Sequence, residues 1–147
     1  MTASALQRQF VVFSLKGESY AVPIASVQEI IRYAKPTPVG ATSALIQGVI
    51  NLRGRVVPVA DLSSRLGHEP EINSGTRILM LEVAHGTVGL IVDSVDGVRE
   101  IPTANIGQLP VAVGDSGVGD EIAAIDDHLV VLMDPERTLG SVFPSSP

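Results

Sequence analysis

The stretch Gly48-Val49-Ile50-Asn51-Leu52-Arg53-Gly54-Arg55-Val56-Val57-Pro58-Val59-Ala60-Asp61-Leu62 decides the architecture. Two apolar runs, Ile46 to Leu52 and Arg55 to Val59, flank the pair Arg53-Gly54. Short runs rich in β-branched residues on either side of a glycine-bearing step predict a β-hairpin. Its tip carries two arginines, Arg53 and Arg55, on an otherwise acidic chain. Asp61 then suits the cap of a short helical turn through Arg65 and Leu66, stopped by Gly67.

Upstream of the hairpin, Phe10 to Leu15 predicts a strand ended by the turn Lys16-Gly17-Glu18. Tyr20 to Ile24 resumes the alternation, and Pro23, which cannot donate to a ladder, belongs at an edge or a strand end. From Ala25 to Ile31 the period changes. Ile24, Val27, Ile30 and Ile31 fall on one helical stripe that continues into Tyr33 and Val39, which predicts a short helix. Pro36, Pro38 and Gly40 mark a loop. Downstream, Gly67 to Gly75 carries Pro70 and no apolar alternation, and reads as the linker of the chain. Ile78 to Val83 and Val88 to Val92 follow as strands around Ala84-His85-Gly86. Leu90 to Val92 is apolar on both faces, the mark of a strand that is sandwiched or lent to another molecule.

The second half repeats the first. At an offset of 68, Phe10, Phe13 and Leu15 fall on Ile78, Leu81 and Val83, while Tyr20, Val22 and Ile24 fall on Val88, Leu90 and Val92. Ser26-Val27 coincides with Ser94-Val95, and Ile30 with Val98. At an offset of 73, Val49, Leu52, Val56 and Asp61 meet Ile122, Ile125, Leu129 and Asp134. A period near half the chain length points to two copies of one small β unit, and the order of elements suits small closed barrels.

Composition bounds the function. The chain has 147 residues, 45% apolar and 18% charged, with 20 valines, 12 isoleucines and only 3 phenylalanines and 2 tyrosines. β-Branched residues favour strands. The apolar excess is too large for a disordered chain, yet no run approaches the ~18 uncharged apolar residues of a membrane helix. Met1 to Phe10 shows no apolar segment of a secretory signal. A net charge of -6 argues against nucleic acid as partner, and the absence of cysteine removes disulfides and thiolate chemistry. A small soluble domain this apolar must close its sheets or cover them with a partner.

No catalytic set assembles. Gly114-Asp115-Ser116-Gly117 matches the surroundings of a serine-protease nucleophile, but Val118 follows where that pattern needs glycine. His68 and His85 sit beside glycines in connections, so a polar loop explains the residues better. As a phosphate loop, Gly114 to Gly119 is ringed by Asp115, Asp120 and Glu121, is followed by a strand and lacks lysine. Asp126-Asp127-His128 reads as a hairpin turn rather than a metal corner, since adjacent turn residues splay apart. No cofactor and no metal are expected. The arginines of the 48–62 hairpin either solvate its turn or are held to meet a carboxylate or carbonyl on a partner.

At these residues the chain resembles the CheW family of chemotaxis coupling proteins. The resemblance runs from Phe10 to Leu139 and is most specific over Gly48 to Leu62. Phe13 to Ile24, Val27-Gln28-Glu29-Ile30, Gly89 to Asp93 with Val95, and Leu129 to Asp134 support it. Ala41-Thr42, Ala123-Ala124 and the glycine-rich 114–119 loop depart from the family pattern.

The resemblance implies a mainly β fold of two packed five-stranded SH3-like barrels with few short helices, one CheW-like domain over 9–140. Residues 9–66 and 76–140 would be the barrel halves, the chain ends crossing between them, with flexible termini at 1–8 and 141–147. It implies a non-enzymatic cytoplasmic adapter that links the tip of chemoreceptors to the regulatory domain of a CheA-type histidine kinase at membrane-associated arrays. Val27, Glu29, Arg53 and Val95 would meet the receptor; Ile30, Ile31, Tyr33 and Val39 would face the kinase. The alternative is a small-ligand-binding or hydrolytic β-barrel using the 114–128 region, with Ser116, Asp126 or His128.

Overall fold

A computed structural model describes residues 7–40, 44–63, 71–109 and 118–143. Among them the chain forms strands β1 (Gln7–Leu15), β2 (Glu18–Pro23), β3 (Val27–Arg32), β4 (Ile46–Leu52), β5 (Arg55–Ala60), β6 (Arg77–Val83), β7 (Gly86–Val92), β8 (Ser94–Pro102), β9 (Ile106–Gln108), β10 (Glu121–Ile125) and β11 (His128–Leu132). One short helix, α1 (Pro135–Leu139), follows. Asp134 caps it, its carboxylate accepting the backbone N–H groups of Glu136 and Arg137.

Three of the hairpins, β1–β2, β4–β5 and β10–β11, turn through left-handed residues, whereas β6–β7 turns through Ala84-His85 without one. Lys16-Gly17, Arg53-Gly54 and Asp126-Asp127 all have positive φ, the mirror-image turn whose twist matches that of the flanking strands. The β4–β5 turn of the 48–62 segment is pinned further by Asn51, whose Oδ1 accepts the Gly54 N–H at 2.8 Å.

The strands assemble into two sheets, ordered β3-β6-β7-β5-β4 and β8-β1-β2-β11-β10-β9. The first is the expected five-stranded barrel. A bridge between Thr37 and Val49, with N–H···O distances of 2.8 and 2.9 Å, ties the connection after β3 back onto β4. The second barrel adds a short sixth strand, β9, next to β10. The opening hairpin of each repeat serves the other repeat's barrel. Thus β3 pairs with β6, placing Val27 opposite Leu81, and β8 pairs with β1, placing Val95 opposite Phe13. The parallel contacts Val59–Gly89 and Leu132–Ala21 are equivalent in the same way.

The core has three parts. Ile50, Val57, Val59, Ile78, Met80 and Ile91 fill the first barrel. Phe10, Val12, Ala21, Ile101, Ala123, Val130 and Leu132 fill the second. Between them lies a larger shared cluster that includes Val11, Phe13, Tyr20, Val22, Leu62, Leu79, Leu81, Leu90, Val92 and Leu139. β7 is therefore sandwiched: Leu90 and Val92 face the shared core and Ile91 the first barrel. Barrels this small bury too little surface alone, and the shared cluster absorbs much of the valine excess, while the buried isoleucines fill the two barrels.

One expectation fails. The stripe over Ala25–Ile31 is not a helix: Ile24–Ser26 makes a single 3-10 turn, and β3 begins at Val27. A bulge leaves Gln28 without a partner on β6, so that Val27 lies opposite Leu81 and Ile30 opposite Leu79. The extra residue stretches a strand spacing of two into three. Val27 and Ile30 then share a face as residues i and i+3 of a helix do. Arg65, Leu66, Gly67 and His68 lie outside the described residues.

Candidate interaction site

Arg53 occupies the first position of the β4–β5 turn with φ +52°. From there its guanidinium forks onto the Glu29 carboxylate of β3, Nη1 to Oε1 at 2.5 Å and Nη2 to Oε2 at 2.8 Å. The bidentate geometry fixes the planes of both groups. The Arg53 side chain is 72% exposed and that of Glu29 30%, so the pair stands at the surface. Hydrogen bonds from Arg53 hold the Glu29 carboxyl below its ordinary pKa, and the same bonds raise that of Arg53. The tip is thus a fixed cation with its outer edge open to solvent.

Val27, two residues before Glu29, is half-buried against the shared core. Val95 holds the equivalent position on β8 and packs on the same core. Of the four residues expected at the receptor surface, the structure joins Arg53 to Glu29 and sets Val27 beside them on β3. Val95 lies on the other sheet.

The four residues expected to face the kinase divide between two environments. Ile30 is 42% exposed on the outer face of β3, and Val39 is 49% exposed in the β3–β4 connection. Ile31 and Tyr33 pack against the interior of the first barrel. Strand alternation separates Ile30 from Ile31, which a helical stripe would have kept together.

Further exposed apolar residues went unnoticed in the sequence: Val56, Leu129 and Val98. The repeat already aligned Val56 with Leu129 and Ile30 with Val98. Alternation along β5, with Val57 and Val59 turned inward, would have put Val56 outside. The second barrel also carries a counterpart of the tip ion pair with its charges exchanged. Asp126, aligned with Arg53 and likewise at a positive-φ turn position, accepts from Arg99 of β8 at 2.8 Å.

Asp126 and His128, candidates for the hydrolytic alternative, line a cavity of about 110 Å³ at the mouth of the second barrel. Ser116 and the rest of 110–117 lie outside the described residues. Among the described residues no group of three or more metal-competent side chains converges, and no helix is long and apolar enough to cross a membrane.

Comparison with known proteins agrees with this geometry. The CheW-like domain matches residues 9–143. The chemotaxis protein CheW of Bacillus subtilis is 35% identical over 134 residues, covering 89% of this chain and 86% of that one. The chemotaxis protein CheW of Rhizobium meliloti is 32% identical over 143 residues, covering 94% and 88%. The crystal structure of scaffolding protein TtCheW from Thermoanaerobacter tengcongensis superposes with a TM-score of 0.79 at 33% identity, over 86% of this chain and 88% of that one. With its two interlocked barrels and a match to the CheW-like domain over residues 9–143, the chain belongs to the CheW-like domain family.

Proposed function

We propose that this chain is a non-enzymatic chemotaxis adapter, acting as one unit over 9–140, which couples chemoreceptors to a CheA-type histidine kinase in the cytoplasm. The observation that carries the reading is the Arg53–Glu29 fork: a rigid, exposed cation on a pinned turn, next to half-buried Val27. Such a group can exchange or share its carboxylate with a partner at little ordering cost, because the turn already fixes it. Val27, Glu29, Arg53 and Val95 form the receptor-facing set. Ile30 and Val39 offer apolar contact to the kinase, with Ile31 and Tyr33 backing them from inside the barrel. Each contact is modest, and the strength of assembly comes from linking many adapters, receptors and kinases in one array.

Arg53→Glu tests the receptor assignment. Co-sedimentation with receptor-containing membranes should fall sharply while the thermal midpoint stays near wild type, since an exposed pair contributes little stability. A folded Arg53→Glu protein that still co-sediments like wild type removes Arg53 from the receptor surface.

A further inference from the structure

A chain of polar side chains crosses the mouth of the first barrel. Arg55 Nη2 on β5 donates to Thr87 Oγ1 on β7 at 3.0 Å. The Thr87 hydroxyl donates to Gln28 Oε1 on β3 at 3.0 Å, and Gln28 Nε2 donates to Glu82 Oε2 on β6 at 3.2 Å. Thr87 is only 7% exposed, while Arg55, Gln28 and Glu82 lie at the surface. Three strands meet on the Thr87 hydroxyl, which accepts one hydrogen bond and spends its single donor on Gln28, and Gln28 carries the chain on to the fourth strand.

The residue this chain grips is the one the β3 bulge leaves unpaired. Gln28 has no partner on β6, and its neighbours Val27 and Glu29 are the half-buried valine and the carboxylate that receives Arg53. A bulge re-aims the side chains on either side of it, and a bulge free to slip would re-aim them wrongly. The second barrel shows the contrast. Its bulge, between Val12 and Phe13 on β1, leaves Asp96 unpaired, the residue that aligns with Gln28. Ser19 aligns with Thr87 and His128 with Arg55. There the mouth holds the cavity of about 110 Å³, lined by Ser19, Asp96 and His128.

We infer that Thr87, with Arg55 and Gln28, is a positioning element of the interaction site: it locks the β3 bulge so that Glu29 receives Arg53 and Val27 stays seated against the shared core. The inference rests on the reading that Arg53, Glu29 and Val27 form the receptor-facing surface, and its first readout does not depend on that reading.

Thr87→Val keeps the shape of the side chain and removes both hydrogen bonds. The Glu29 carboxyl titration, followed by NMR in the purified full chain, should move upward towards that of an Arg53→Ala protein, and Thr87→Ser should restore it. Arg55→Gln, at the exposed end of the chain of bonds, should shift the same titration in the same direction and serves if Thr87→Val fails to fold. Binding to receptor-containing vesicles should weaken by about tenfold in Thr87→Val and recover in Thr87→Ser. A Glu29 titration unchanged in Thr87→Val, or unchanged in Arg55→Gln where the valine variant does not fold, overturns the positioning role. A shifted titration with unaltered vesicle binding upholds that role and overturns the receptor assignment of the surface it positions.

Discussion

Asp93 accepts the backbone N–H of Lys16 through Oδ2 at 2.6 Å, and its own N–H donates to the carbonyl of Ser14 at 2.9 Å. Asp93 stands where the chain leaves β7 of the first barrel for β8 of the second, and Lys16 forms the β1–β2 turn of the second. The Lys16 Nζ lies 4.0 Å from the other carboxylate oxygen, its side chain only 9% exposed. The repeat offers no equivalent, because Ala25 and Ala84 occupy the matching positions. One carboxylate therefore clamps the crossover.

Removing that clamp should cost stability without changing the fold. Asp93→Ala strands a backbone donor and a largely buried ammonium, and should cost about 1–3 kcal/mol in urea melts. Asp93→Asn keeps an acceptor for the Lys16 N–H and should lose less. Equal losses for the two variants would show that the charge, not the hydrogen bond, holds the crossover.

The Arg53–Glu29 pair should give stability a defined pH dependence. Glu29 has its carboxyl pKa lowered in the folded state, chiefly by hydrogen bonds from Arg53. A lowered folded pKa contributes stability that is present above the unfolded value, about 4.3, and is lost as pH falls through the folded value. Arg53→Met should therefore differ most from wild type near neutral pH, with the two melting curves converging in acid. The difference should also shrink with added salt, as befits an exposed pair. A gap between the two proteins that is constant with pH would assign the effect of Arg53 to its turn conformation.

Gly48 has a separate role in the same hairpin. A Cβ there would collide with the backbone carbonyl of Thr37, the group whose bridge to Val49 closes the first barrel. Backbone cannot swing aside as a side chain can, so Gly48→Ala should destabilise by about 1–3 kcal/mol. Gly40→Ala, with nothing within 4 Å of the added carbon, is the control and should be close to neutral. Thermal melts of the two variants decide it.

The hairpin at 48–62 was legible because its turn chemistry is local: Arg53-Gly54 and Asn51 specify the tip within four residues. The repeat was legible because apolar alternation survives in both copies, down to Asp61 and Asp134. Both of these carboxylates accept a backbone N–H two residues on, from Ser63 and Glu136. The β3 bulge was not legible, since one unpaired residue imitates helical spacing and only the partner strand β6 reveals it. The Arg53–Glu29 pair was half legible. Both residues stood out, yet their contact spans 24 positions and depends on how β3 and the hairpin meet in three dimensions. The polar chain through Thr87 left no trace in the pattern, because a threonine in a strand is unremarkable until side chains of two other strands converge on it.

The shared core makes a prediction about cooperativity. Phe13 is fully buried in the cluster between the barrels, stacked on Tyr20 with centroids 5.9 Å apart and opposite Val95 across β1–β8. Leu81 is its equivalent from the other repeat, opposite Val27. Phe13→Ala should cost about 3–5 kcal/mol and Leu81→Ala about 2–5 kcal/mol. If each barrel were a separate folding unit, Phe13→Ala would loosen β1, β2 and β8–β11 and leave β4 and β5 protected. Because the barrels exchange hairpins and bury one core, the loss should instead appear in both sheets and in a single unfolding transition. Hydrogen exchange read by mass spectrometry on Phe13→Ala gives the test: amides of β5 and β11 should lose protection together. Protection retained in β5 while β11 exchanges freely would show that the shared cluster joins two independently stable barrels.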